Sequence, residues 1–171
     1  MSVTAYRDMG YLPDALVNYL VRLGWSHGDQ EFFTREELIE KFSLENVGKS
    51  AGVFNPEKLL ALNAEHIRNT PAEDLAPHLI PFLSEKAIAA EPGGFLNKVI
   101  ATLQPRSKTL VEMAEGAEFY FKAPDGYEEK GAKKFFKPEL LDALKQLTDA
   151  LAAAPAFDEQ NLEPVFKQVM A

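Results

Sequence analysis

The side chains that could bind a metal or catalyse a reaction are few in this sequence, and they are not spaced for either task. His27, His66 and His78 lack the H-x-x-x-H or H-E-x-x-H spacing of a metal site. The absence of cysteine excludes disulfides, thiolate nucleophiles and cysteine-based metal centres. Neither a Gly-x-Ser-x-Gly motif nor a P-loop occurs. We therefore predict no catalytic residue and no metal ligand in this chain.

The arginines are more informative, because there are only five of them and one occupies a distinctive position. Arg106 follows Leu103-Gln104-Pro105, just beyond the end of a predicted helix. Pro105 stiffens this junction, and a guanidinium on a rigid turn can donate two hydrogen bonds to a base edge or a phosphate. The same cation could instead complement the carbonyl end of the helix, which is worth up to about 1 kcal/mol. The residues alone leave both alternatives open.

A second basic cluster lies at residues 130–137. This segment contains four lysines, Lys130, Lys133, Lys134 and Lys137, and two phenylalanines, Phe135 and Phe136. Lysines among aromatic side chains can combine phosphate contacts with base stacking. A helix predicted to begin at Pro138 follows directly, so the phenylalanines could equally belong to a hydrophobic core. Lys133 and Lys134 are the candidates for nucleic-acid contact in this cluster.

The elements that must position these side chains are helices. Capping residues and prolines predict helix starts at Pro13, Thr34, Asn55, Thr70, Thr109, Pro138 and Asp158, with a further helix over residues 95–103. The sequence predicts capping boxes at Thr34–Glu37 and Thr70–Glu73. Apolar faces are expected at Leu16, Leu20 and Leu23, and at Leu38, Ile39 and Phe42. Pro77 and Pro81 should break or kink their helix, and Gly116 should disturb another. The predicted fold class is all-α, with short helices in two to three small bundles.

Composition limits the class of protein further. The chain of 171 residues is 46% apolar, which excludes intrinsic disorder. Its net charge of −8 excludes a generally basic protein that coats nucleic acid. No segment resembles a membrane span or a signal peptide, so we expect a cytoplasmic protein that does not enter membranes. Shifts in composition near residues 69–71 and in the turn-rich segment 123–127 predict domain boundaries.

Several segments resemble bacterial glutamyl-tRNA synthetase, a class I aminoacyl-tRNA synthetase. The match is carried by Ser-Val-Thr-Ala-Tyr-Arg-Asp-Met-Gly-Tyr-Leu-Pro-Asp-Ala-Leu-Val-Asn-Tyr-Leu at 2–20, Leu-Gly-Trp-Ser at 23–26, Val-Phe-Asn-Pro-Glu-Lys-Leu at 53–59, Leu-Asn at 62–63 and His-Ile-Arg at 66–68. It continues more weakly through Gln-Pro-Arg at 104–106 to the C-terminus. The HIGH-like and KMSKS-like motifs of the family's catalytic domain do not occur. We therefore expect a fragment that is inactive alone.

The resemblance implies a division into three parts. Residues 1–70 would be the stem-contact helical domain, and residues 71–128 an anticodon-binding helical bundle. Residues 129–171 would begin the C-terminal anticodon-binding subdomain, which we expect to be incomplete. The resemblance implies that Arg106 reads the third anticodon base and that Lys58 and Arg68 lie near the tRNA stem. The implied partner is tRNA(Glu), bound by a monomer.

The parent enzyme would attach L-glutamate to this tRNA with ATP and Mg²⁺, and the fragment itself would hold no cofactor. An acidic helical module that binds proteins and not tRNA is the main alternative. An independent small enzyme has less support, because no nucleophile, base and metal set converges.

Overall fold

The computed structural model describes residues 2–49 and 52–170, and these residues are helical with no β-strand. Two isolated bridges, Trp25 with Val47 and His27 with Gln30, are the β-type pairings in this part of the chain. The all-α prediction is confirmed. The chain divides into two compact units, Met1–Ala123 and Pro124–Ala171. The three-part division with a boundary at residue 70 stays a prediction.

Seven α-helices make up the described part of the first unit: α1 Val3–Asp8, α2 Pro13–Arg22, α3 Arg35–Lys41, α4 Pro56–Asn69, α5 Ala72–Glu85, α6 Gly94–Leu103 and α7 Leu110–Phe121. Short 3₁₀ turns follow α3 at Leu44–Asn46 and α6 at Gln104–Arg106. The second unit contains α8 Glu129–Phe135, a 3₁₀ turn at Pro138–Leu140, α9 Leu141–Ala152 and α10 Glu159–Met170.

Local capping chemistry starts the helices largely as predicted. The Thr34 hydroxyl accepts a hydrogen bond from the Glu37 N–H, and the Glu37 carboxylate accepts from the Thr34 N–H, which completes a capping box. Asn55 caps α4 by accepting from the N–H groups of Glu57 and Lys58 at 2.9 and 3.1 Å. Each cap satisfies backbone donors that a helix start leaves without a partner.

The capping box at Thr34 predicts a specific response to acid. The Thr34 N–H, Lys41 and Gln30 donate to the Glu37 carboxylate and lower its pKa from 4.5 to about 2. Since this folded-state pKa lies below the ordinary value, charged Glu37 stabilises the fold above about pH 4.5, and that contribution is lost as the pH falls towards 2. We therefore expect Glu37→Gln to destabilise the protein at neutral pH, with the difference from wild type shrinking between pH 4.5 and 2. Urea unfolding at several pH values measures this difference.

Glu36→Gln serves as the matched control for this experiment, because Glu36 is the exposed neighbouring carboxylate on the same helix. It should leave the acid dependence of stability close to that of wild type. A constant difference between Glu37→Gln and wild type from pH 7 to pH 2 would contradict the prediction.

Two local predictions about α5 are wrong. Thr70 does not form a capping box, because its hydroxyl donates to the His66 carbonyl at 2.7 Å and so closes the end of α4. Pro77 and Pro81 do not break the helix, which runs unbroken through both, so the predicted break is wrong and the predicted kink stays a prediction. The two prolines are four residues apart on the exposed side of α5, so water can satisfy the carbonyls that their missing N–H groups leave free.

The predicted apolar face of α2 is also wrong. The helix buries Ala15, Asn18 and Tyr19, whereas Leu20 is 51% exposed. Similarly, α3 buries Leu38 alone and leaves Ile39 77% exposed. The expected disturbance at Gly116 is absent as well, because α7 continues past it. A Cβ at Gly116 would approach the Leu103 side chain to 3.2 Å, so the glycine lets α6 and α7 pack closely.

The core of the first unit lies among α5, α6 and α7. Each fully buried leucine there contributes about 1.5–3 kcal/mol. The buried members of this core are Leu12, Ala15, Ile67, Leu75, Ala76, Leu79, Leu83, Ile88, Leu96, Val99, Ile100, Leu103, Leu110, Met113, Ala114 and Ala117. A smaller cluster of Trp25, Phe33 and Leu38 supports α3.

A polar junction joins the N-terminal helices to the α5–α7 core. Asn63 of α4 is fully buried, accepts from the Leu12 N–H at 2.8 Å and donates to the Lys108 carbonyl at 2.7 Å. The Gly10 carbonyl accepts from the Leu110 N–H at 2.9 Å. One side chain of α4 therefore fixes both the loop before α2 and the loop before α7.

The second unit consists of α8, α9 and α10, of which α9 and α10 pack on each other. Among its described residues none is fully buried, and Leu140, Leu141 and Leu144 are exposed. The predicted cap of α10 is confirmed, since Asp158 accepts from the Asn161 N–H at 3.0 Å. Within residues 2–49 and 52–170, no helix has the length and apolarity to cross a membrane.

Candidate nucleic-acid interface

The turn that carries Arg106 is fixed to the C-terminal end of α4. The Gln104 side-chain amide donates to the carbonyls of Ile67 and Thr70 at 2.9 and 2.7 Å, which satisfies two carbonyls at the end of that helix. Ser107 closes the other side of the turn, because its N–H and its hydroxyl both bond to the Leu103 carbonyl. The backbone on both sides of Arg106 is thus held in place.

The Arg106 side chain is exposed on this fixed turn. It has no salt bridge or hydrogen bond to any other residue of the described ranges 2–49 and 52–170. A guanidinium in this setting keeps all its N–H donors available for a planar acceptor such as a base edge or a phosphate. Its predicted role in base reading stays a prediction, and the geometry is compatible with it.

Lys58 and Arg68 both line one cleft of about 440 Å³. Glu65 and Arg68 are three residues apart and are neighbours on α4, and Lys58 lies two turns before Glu65 on the same face. The opposite wall comes from α2 and the segments that follow it. We call this site the α2–α4 cleft, and its lining residues are Tyr19, Arg22, Leu23, Glu31, Gly52, Val53, Lys58, Ala61, Leu62, Glu65 and Arg68.

Arg22 is the cleft residue that sequence reasoning missed. It reaches the site from the last turn of α2, and its guanidinium lies 3.7 Å from the Glu31 carboxylate. The spacing of Lys58, Glu65 and Arg68 in the sequence indicates a shared helix face. The sequence around Arg22 does not indicate that Arg22 faces these residues, because its position opposite them depends on how α2 packs against α4.

A buried polar contact sets the packing of α2 on α4. Asn18 is fully buried, and its amide oxygen accepts from the Phe33 N–H at 2.9 Å and from His66 Nε2 at 3.1 Å. The Asn18 amide also donates to the Glu31 carbonyl at 3.0 Å. Burial lowers the pKa of His66, opposed by the charge of Asp14, so the neutral imidazole is favoured here. This contact fixes the backbone of Glu31 beside the cleft.

Lys133 and Lys134 belong to the second unit, on α8. Both are exposed. Lys133 pairs with Glu129 one turn earlier, and the Lys134 ammonium lies 5.0 Å from the centre of the Phe135 ring. Phe135 and Phe136 are 60% and 53% exposed, so neither is part of a closed core within the unit. Contact of these lysines with nucleic acid stays a prediction.

The described residues offer no metal centre, since no group of three or more His, Asp or Glu side chains within residues 2–49 and 52–170 could hold an ion. The Asp, Glu and His side chains of this part of the chain therefore do not fit a magnesium site.

Matches to two known protein families together cover nearly the whole sequence. Residues 73–171 match the family model described as an anticodon-binding domain. Residues 1–61 match the model described as the catalytic domain of class I tRNA synthetases (E and Q). This second match overlaps the predicted stem-contact part.

Similar curated proteins are glutamate–tRNA ligases. That of Desulfosudis oleivorans is 56% identical over 170 residues, and that of Geobacter sulfurreducens is 53% identical over 170 residues. Both alignments cover 99% of this chain but 36% of the relative, so the chain spans about a third of the relatives' length.

A solved structure is similar to this chain over nearly its whole length. The glutamate–tRNA ligase of Elizabethkingia meningosepticum, crystallised with its amino acid, aligns with a TM-score of 0.79 and 27% identity. The alignment covers 96% of this chain and 32% of that one. Since the anticodon-binding model also covers more than half of the sequence, the chain belongs to the anticodon-binding domain family, in the form found in glutamate–tRNA ligases.

Proposed function

We propose that this chain is the tRNA-recognition part of a glutamate–tRNA ligase. The observation that carries the proposal is the exposed, unpaired Arg106 guanidinium among the described residues, on a turn held by Gln104 within a region that matches anticodon-binding domains. A fixed fork of N–H donors can distinguish base edges, because a wrong base leaves those donors without acceptors. The alternative of a protein-interaction module is not favoured, since the matched family is an anticodon-binding domain and the relatives named above are glutamate–tRNA ligases.

The proposed division of labour separates selection from positioning. Arg106 reads the third anticodon base of tRNA(Glu). Lys58 and Arg68, in the stem-contact domain of residues 1–70, contact the tRNA stem. Lys133 and Lys134, in the C-terminal subdomain, contact tRNA phosphates. Such phosphate contacts hold the RNA in register but carry no sequence information.

The whole enzyme, in this proposal, is a cytoplasmic monomer that joins L-glutamate to tRNA(Glu) with ATP and Mg²⁺. The energy of binding at these helices orients the acceptor end of the tRNA in a catalytic domain outside this chain. The chain alone therefore has no ligase activity. Glutamate-dependent pyrophosphate exchange by the pure chain would contradict this division.

Filter binding of the pure chain to a tRNA(Glu) transcript tests the proposal. We expect weak binding, with log K falling linearly against log salt concentration at a slope of about −0.7 to −0.9 for each phosphate contact. Arg35→Gln is the control variant, because Arg35 is already paired with Asp14 and should leave both the affinity and the slope unchanged. Absence of binding at low salt, together with capture of a protein partner, would favour the interaction module.

A further inference from the structure

We propose that the α2–α4 cleft binds a backbone phosphate of RNA, and that Arg22 exchanges its contact with Glu31 for that phosphate. This inference rests on the proposed function and adds to it a site, a third cation and an exchange of partners. Its ligand is the ribose-phosphate unit of a folded RNA strand. A free phosphate ion has the same chemistry, and the experiment below separates the two sources.

The first argument is the convergence of charge. Arg22, Lys58 and Arg68 line one cleft in a chain whose net charge is −8. Glu31 and Glu65 line it too, so the lining charges sum to +1. Lys58 and Arg68 form no salt bridge with another described residue of ranges 2–49 and 52–170. The net positive charge of the lining would attract an anion into the cleft.

The second argument is that the contact between Arg22 and Glu31 is easily exchanged. Its atoms are 3.7 Å apart, beyond the ordinary length of a charge-assisted hydrogen bond. The Glu31 side chain is 71% exposed and can turn into water, whereas the Arg22 side chain is 24% exposed and is confined to the cleft. A long ion pair whose carboxylate is mostly exposed contributes little, whereas a guanidinium and a phosphate can form two parallel hydrogen bonds.

The third argument is the shape of the cleft. A volume of about 440 Å³ exceeds what a lone phosphate needs and falls within the range of sites for small organic ligands. At one wall of the cleft, the backbone of Gly52 lies close to Leu23, because a Cβ on Gly52 would be 2.8 Å from the Leu23 carbonyl oxygen. Tyr19 accepts from the Asn55 N–H at 2.6 Å, so its own hydroxyl hydrogen remains available to donate. A cleft lined by both apolar and charged side chains suits a sugar that carries a phosphate.

Two variants that break the same ion pair test the proposal by the sign of their effects. The full chain is titrated with a tRNA(Glu) transcript at several salt concentrations. Arg22→Gln should weaken binding about tenfold at low salt and reduce the salt slope by about 1. Glu31→Gln should tighten binding severalfold, because it removes the competing carboxylate and leaves the Glu31 backbone contact with Asn18 intact. Arg35→Gln, which breaks an ion pair outside the cleft, should leave binding unchanged.

A purely structural ion pair gives a different result, since both variants would then act in the same direction. Equal weakening by both, or no effect of either while wild type binds tRNA, would overturn the cleft proposal and leave the proposed function standing. Failure of the wild-type chain to bind tRNA would instead overturn the proposed function. Saturable binding of inorganic phosphate at the cleft, with unchanged tRNA affinity in its presence, would overturn the assignment to an RNA backbone.

Discussion

Replacing Gly10 with alanine should destabilise the first unit by about 2–5 kcal/mol. Gly10 has a φ of +81°, a conformation in which an L side chain is strained. A Cβ there would lie 2.7 Å from the Val111 nitrogen and 2.8 Å from the Leu110 nitrogen. These are backbone atoms and cannot turn aside, so the loop must move away from α7 and lose the bond from the Leu110 N–H. Urea unfolding followed by fluorescence of Trp25, the one tryptophan, measures the change.

Gly28→Ala separates backbone strain from steric overlap in this experiment. Gly28 also has a positive φ, +57°, but a Cβ there would meet no atom within 4 Å. Its cost should be strain alone, about 1–2 kcal/mol. If the two alanine variants lost equal stability, the close approach at Gly10 would contribute nothing and the prediction would be wrong.

Arg106→Gln in the full-length ligase should relax discrimination at the third anticodon base by about 1–3 kcal/mol. The physical reason is that glutamine lacks the charged, five-donor fork that a guanidinium presents from the fixed turn. The measurement is the ratio of kcat/KM for tRNA(Glu) to that for the same tRNA with a changed third anticodon base. The ratio should fall in the variant.

Lys108→Gln is the control, because Lys108 is exposed two residues further on and is a flexible point charge. It should leave the ratio of the two kcat/KM values unchanged. If Arg106→Gln also weakened both tRNAs equally, Arg106 would be a backbone contact and would not read a base.

Short-range features of the fold were predictable because their causes lie within a few residues. The hydroxyl and carboxylate of the Thr34 box are three positions apart, and Asn55 caps the helix that begins beside it. Thr70 has the same local pattern and behaves differently. The end of α4 and the start of α5 compete for it there, and a sequence window that considers one helix at a time contains no information about that competition.

Long-range features were not predictable in this way. The spacing of the leucines on α2 predicts an apolar face. Asn18 is buried there instead, because its side-chain amide has hydrogen-bond partners at residues 31, 33 and 66. Such partners exist only once α4 is in place. The candidate site divides similarly, since the spacing of Lys58 and Arg68 along α4 indicates one face. Arg22 joins them only through tertiary packing.

The amide of Gln104 has a geometric consequence for what the protein can select. It anchors Arg106 to the C-terminal end of α4, beside Arg68, whereas Lys58 lies in the first turn of that helix, which has 14 residues and is about 21 Å long. The helix therefore fixes the separation between Arg106 and Lys58. An RNA that contacts both residues must present a base and a phosphate at that separation.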